Sequence, residues 1–282
     1  MTRIADKLRA LLPEHAARTY DPVGRCIYCE SAQDLGDEHI IPLGLGGRIV
    51  LPKSSCKTCS GQSSAFERTC LRTMFGPLRM LYDLPSRRRG DRPRTLPLKV
   101  KRNPDDDWTE IHVNQEDYPF LVLLPRFPLP DLLSGVRTIG DRGPGTRVFW
   151  IRGASASAGF FDHLEDLIAK LRVHSVMPRA KADIRAFCLM LAKIGHSFSI
   201  AELGFGSFAP QLPALILRGD LSNCVDVIGG LNDDEPPSSA LHELSLDEAT
   251  FDQPNLVIVR VRLLSRLGTP TYFVVTGRRL PP

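Results

Sequence analysis

Apolar side chains recur at helical spacing in several stretches of this chain. Ile4, Leu8, Leu11 and Leu12 predict a leading helix over residues 2–12. Ala65, Phe66, Cys70, Leu71, Met74, Phe75, Leu78 and Leu81 predict another over 62–81, which Gly76-Pro77 kinks or ends early. Residues 160–171 and 182–194 read as amphipathic helices, and 109–113, 118–124 and 147–151 read as strands. The clearest strands, 256–264 and 272–276, flank a short turn around Gly268-Thr269-Pro270, a hairpin signal. Nearer the N-terminus, Glu38, His39, Ile40 and Ile41 predict a short strand that stops at Pro42. Gly44, Gly46 and Gly47 then permit a wide loop, and Ile49-Val50-Leu51 supplies a return strand ahead of the helix over 62–81. The local order is strand, strand, helix. Residues 13–25 and 233–239 read as loop, and no internal repeat is present.

The chain has 282 residues, long for one core and comfortable for two domains. We expect an α+β protein: an N-terminal module over 1–85, a basic linker over 86–102 and a mixed α/β C-terminal domain over 103–282. Charge divides unevenly along this plan. Residues 1–102 carry 19 Lys/Arg against 10 Asp/Glu, whereas 103–282 carry 17 against 22. A basic N-terminal part fits a polyanionic partner, with DNA the expected one. Residues 86–102 concentrate that charge, with eight Lys/Arg and a single Asp. Arg87, Arg88, Arg89, Arg92 and Arg94 read equally as a strip tracking phosphates or as a solvated connection. The composition, 43% hydrophobic and 24% charged, has no stretch approaching the roughly 20 apolar residues of a membrane span. Asp6, Lys7 and Arg9 interrupt the leading helix, so it is no signal-peptide core. No membrane partner and a cytoplasmic address are the expectation.

In such a compartment seven cysteines are not read as disulfides. Four form two knuckles, Cys26-x2-Cys29 and Cys56-x2-Cys59, with 26 residues between them. Two tight turns that each aim two soft thiolates the same way suit tetrahedral zinc. A closed four-sulfur site leaves no open position, so the zinc is expected to be structural. Cys70, Cys188 and Cys224 are scattered and read as small buried hydrophobes.

Together, the two knuckles, Asp37-Glu38-His39-Ile40-Ile41-Pro42, Leu45-Gly46-Gly47 and Phe66-Glu67 resemble the zinc-stabilised HNH endonucleases with a ββα-metal fold. The resemblance covers about residues 24–70. It implies metal-dependent hydrolysis of DNA phosphodiester bonds, with His39 as general base. An imidazole near its ordinary pKa of about 6.5 can accept a proton from water at neutral pH. It further implies a catalytic Mg2+ or Mn2+ that stabilises phosphoryl charge. Glu38 matches the acidic ligand beside the base and Asp37 is its fallback. Ser60 stands where the family carries Asn or His at the helix start. Glu67, on the same helix face as Ser60 and Ser64, can reach the site or hydrogen-bond the module. A catalytically weakened nucleic-acid-binding protein and a protein-interaction scaffold are the alternatives. In the C-terminal part, His112, His163, His174, His196 and His242 share no spacing with acids or cysteines that suggests a site. Arg260, Arg262, Arg278 and Arg279, on or beside the terminal hairpin, touch phosphate or form its wet face.

Overall fold

Cys56 decides where the first helix starts. In the computed structural model its sulfur accepts from the Cys59 N–H at the helix N-cap. Helix α1 therefore runs Lys57–Thr73, beginning inside the second knuckle and five residues before the apolar periodicity suggests. It does not continue to Leu81. A separate helix, α2, covers Gly76–Leu81 with Pro77 in its first turn, where the missing N–H costs nothing. The structure describes residues 16–86, 90, 92–135, 150–154, 160–222, 224–231, 235–247, 251 and 253–280. The leading helix expected over 2–12 lies outside these.

Ahead of α1, strands β1 (Arg18–Thr19), β2 (Leu35–His39) and β3 (Ile49–Cys56) form a sheet of order β1-β3-β2. The expected strand–strand–helix order is present, with β2 and β3 antiparallel. Strand β1, parallel to β3, falls where the sequence reads as loop. The glycine loop between β2 and β3 has firm backbone reasons. Gly46 sits at φ 82°, and a Cβ on Gly47 would lie 2.1 Å from the Ile41 carbonyl oxygen.

The basic stretch is only partly a connection. Residues Thr95–Lys101 form β4, the centre of a sheet of order β5-β4-β8 with β5 (Thr109–Asn114) and β8 (Ser175–Pro178). Leu96, Leu98 and Val100 are buried and Lys99 is exposed, the period-two alternation of a half-covered sheet. Strand β6 (Val122–Arg126) starts four residues later than its apolar run and pairs with β7 (Trp150–Ala154). A four-residue helix, α3 (Asp131–Ser134), follows β6, and α4 (Phe160–Leu171) matches its amphipathic pattern and places Leu167 in the core under β4.

The rest of the fold is arranged around one helix, α5 (Ile184–Leu203). The Asp183 carboxylate caps it by accepting from the Ala186 N–H at 3.0 Å. Every residue from Ala186 to Ile200 is buried, so the helix is covered on all sides rather than amphipathic. It extends well beyond residue 194, and its length and apolarity would suffice to cross a bilayer, but 83% of its apolar window is buried within the protein. One side of α5 meets α1. Another meets the largest sheet, β10-β13-β12-β11, built from β10 (Ile228–Gly230), β11 (His242–Leu246), β12 (Leu256–Leu263) and β13 (Tyr272–Arg279). Strand β9 (Phe208–Pro210) adds to β13, and short helices α6 (Pro213–Arg218) and α7 (Cys224–Val227) complete the region. The β12–β13 hairpin is the one read from the sequence, lengthened at its end to Arg279. A single apolar cluster joins Ile40, Phe66 and Phe75 of the N-terminal module to Phe187, Ile194, Val259 and Val274 of the C-terminal region.

Candidate metal centre and the buried charge cluster beside it

The two knuckles come together because β3 delivers one to the other. The Ile27 N–H donates to the Ser54 carbonyl at 2.8 Å, tying the first knuckle to the strand that runs into the second. The first turn closes on itself through the Glu30 N–H and the Cys26 carbonyl, 2.9 Å apart, with Glu30 at φ 62°. The sulfurs of Cys26, Cys29, Cys56 and Cys59 then all lie within 4.8 Å of one another, with Cys29 and Cys56 at 3.7 Å. Zinc–sulfur bonds of about 2.3 Å in a tetrahedron put sulfurs about 3.8 Å apart. The donor set and its spacing therefore fit a metal such as zinc, bound as a closed structural site. Burial pushes the Cys56 thiol up, but the Cys59 N–H and the neighbouring thiols outweigh it and bring its pKa to about 7. Among the described residues, these four are the one convergent group of three or more Cys, His, Asp or Glu side chains able to hold a metal. Cys70, Cys188 and Cys224 are buried in the core, as expected of them.

Just below this cluster lies a second assembly that the sequence did not foreshadow. Glu38 on β2 points inward and is 6% exposed. Glu67 comes from the middle of α1. Between them stands the ammonium of Lys193, from the middle of α5 and 1% exposed. Its Nζ lies 2.5 Å from Glu38 Oε1 and 2.9 Å from Glu67 Oε1. It also donates to the backbone carbonyls of His39 and Ile40, the latter at 3.3 Å. Tyr28, within the first knuckle, donates its hydroxyl to Glu38 Oε2 at 3.3 Å and lies 3.2 Å from the Ser197 hydroxyl. Burial works against the charge on Lys193, but the Glu38 and Glu67 carboxylates overcome it and hold the ammonium above its ordinary pKa. Burial also raises Glu67, with Lys193 opposing the shift.

The residues expected to hold a divalent ion are thus disposed differently from one another. Glu38 and Glu67 converge, but on Lys193. Asp37 is exposed at an irregularity in the β2–β3 ladder, where its Oδ1 accepts from the Lys53 N–H at 3.2 Å. The Ser60 carbonyl accepts from the Ser63 hydroxyl in the first turns of α1. His39 follows Glu38 on β2 and is half-buried, opposite Val50 of β3. An ammonium seated between the two carboxylates leaves no place for a resident Mg2+ or Mn2+ there, so these residues as folded do not fit that ion.

The C-terminal region holds the module through further donors to its backbone. His196, one turn beyond Lys193, donates Nε2–H to the Ile27 carbonyl at 2.8 Å. Burial drops its pKa to about 4, so it is the neutral imidazole that does so. The His242 Nδ1 accepts from the Leu264 N–H at 3.1 Å, which leaves Nε2–H to donate to the Leu45 carbonyl at 2.9 Å. Lys193, His196 and His242 thus satisfy carbonyls of the first knuckle, β2 and the glycine loop. From the sequence neither histidine shares a spacing that suggests a site, and His196, near a helix end with Lys193 and Glu202, reads as structural. The available signal was a lone cation in the apolar run between Arg185 and Glu202.

The arginines divide too. Arg87, Arg88 and Arg89 lie outside the described residues. Arg92 pairs with Asp83 at 2.5 Å and donates to the Leu84 carbonyl, so it fastens the chain after α2. Arg94 is exposed. Arg262 is 3% exposed and donates to the carbonyls of Thr269, Glu235 and Pro236, while Arg260 binds the Glu235 carboxylate with both oxygens at 2.8 Å. These two staple the loop before β11 to the terminal hairpin. Arg278 and Arg279 are exposed.

Compared with known proteins, the chain matches no family model, no curated protein and no solved structure.

Proposed function

We propose that this chain acts on nucleic acid through an HNH-type module, in which β2, β3 and α1 form the ββα core and DNA phosphodiester bonds are the target. One observation carries the reading: the four-cysteine cluster clamps a strand–strand–helix unit that holds Glu38 and His39 side by side on β2. In the proposed reaction water attacks phosphorus and gives a proton to His39. The bond to the 3′ oxygen breaks, and that oxygen takes a proton from solvent. The surface charge of the module supports a polyanionic partner. Arg25, Arg48, Lys53, Lys57, Arg68 and Arg72 are exposed on it and outnumber the exposed acids Asp21, Glu30, Asp34 and Asp37, because Glu38 and Glu67 are turned inward onto Lys193.

Plasmid nicking by the zinc-loaded protein, with and without added Mg2+ or Mn2+, tests the reading. Nicking that disappears in His39→Ala while zinc content is unchanged is the expected result. A second reading, binding without cleavage, is favoured by the inward turn of Lys193 and Glu38, which keeps their charges from any phosphate at the surface. It predicts DNA binding that weakens steeply with salt and no nicking in any condition. Absence of DNA binding at low salt overturns both.

A further inference from the structure

We infer that Lys193 is a built-in replacement for the divalent cation, so that the cation site between Glu38 and Glu67 is permanently filled by the chain's own ammonium. The inference rests on reading β2 and α1 as the HNH-type core, because that reading makes Glu38 and Glu67 the carboxylates a divalent ion would share.

The surroundings of Nζ are those of a cation site. Four oxygens face it: carboxylate oxygens of Glu38 and Glu67, and the backbone carbonyls of His39 and Ile40. An ammonium has three protons, which the two carboxylates and the His39 carbonyl accept, with the Ile40 carbonyl more distant. A divalent ion would need the same oxygens at about 2.0–2.6 Å. It would have to share them with a positive charge that already touches both carboxylates. Lys193 cannot readily withdraw. Its backbone is in the middle of a fully covered helix, Gly195 two residues on is pressed against Val274, and the Lys193 carbonyl accepts from Ser197. The Ser60 position fits the same picture, because a centre that takes its cation from α5 has no need of an Asn or His ligand at the start of α1. The consequence is separable from cleavage: zinc is the metal this chain holds, and no second metal binds beside it.

Mn2+ tests this without reference to activity. Full-length zinc-loaded protein with labelled isoleucine methyl groups is titrated with Mn2+, whose unpaired electrons broaden any nearby resonance. In the wild type the Ile40 methyl signals should stay sharp at one equivalent. Lys193→Ala, checked for zinc content and helicity, should bind Mn2+ at least tenfold more tightly than the wild type, broaden Ile40, and lose both effects when Glu67→Gln is added. Broadening of Ile40 in the wild type at one equivalent overturns the inference, as does a folded Lys193→Ala that binds Mn2+ no better. Should Lys193→Ala fail to fold, the wild-type titration decides alone. A chain that nicks DNA yet shows no Mn2+ at Ile40 supports the inference, and one that binds Mn2+ there but never nicks refutes it, so the two readings fail separately.

Discussion

Lys193 compensates two carboxylates, Glu38 and Glu67, from a position that is itself buried. Removing one partner of a buried ion cluster costs about 3–5 kcal/mol, since the remaining charges are left unpaired. Lys193→Met, which keeps the volume and deletes the charge, should lose about that much in urea unfolding. Adding Glu38→Gln and Glu67→Gln to it should restore a large part. If Lys193→Met unfolds like the wild type, the ammonium does not compensate these carboxylates. His196 makes a pH prediction. Its imidazole titrates near 6.5 in the unfolded chain and near 4 when folded. Between those values the unfolded state binds more protons, so stability rises with pH. The contribution is complete above pH 6.5 and is lost as pH falls toward 4, on the order of 3 kcal/mol in all. His196→Gln keeps a donor for the Ile27 carbonyl but cannot titrate. The stability difference between wild type and His196→Gln should therefore shift by that order across the window, and a difference that stays constant excludes the mechanism. Zinc thiolates titrate in both proteins and drop out of the comparison.

Among the elements, α5 is fitted closely on the large sheet. Gly195 packs directly on the large sheet, where a Cβ would lie 2.7 and 2.9 Å from Val274 side-chain carbons and 3.2 Å from Thr276. Gly195→Ala should gain helix propensity yet still destabilise by about 1–3 kcal/mol through overpacking. Val274→Ala in the same chain should recover part of the loss, which a double-mutant cycle in denaturant measures. Additive effects would place the strain elsewhere. Element type was legible from the sequence wherever one periodicity held without interruption. The helix Phe160–Leu171 and the hairpin of β12 and β13 are such cases. Boundaries were less legible where a side chain overrode periodicity. The Cys56 thiol starts α1 early, and Pro77 divides the following apolar run into two helices. Strand β1 carries no pattern of its own, since two residues are too few to show one and its register comes from β3.

For the molecule as a whole, the consequence is cooperativity. The large core is shared by the module and the C-terminal region, with α1 packed on α5 and three side chains from the latter region donating to module carbonyls. Residues 1–102 expressed alone with zinc should therefore lack fixed tertiary structure, seen as poor dispersion in amide NMR spectra, and the intact chain should unfold in a single transition. A well-dispersed spectrum from the fragment would show that the module folds without α5. The sequence by itself determined the parts that depend on local spacing. Two Cys-x2-Cys turns aim their sulfurs through the chemistry of a few bonds, and alternating or helical apolar patterns declare their element without help from distant residues. Only the tertiary structure decided what stands between Glu38 and Glu67. Lys193 is more than 120 residues from either, and its sequence neighbourhood is that of an ordinary core helix. Where a buried charge finds its partners is a matter of packing in three dimensions, and no local pattern of residues encodes it.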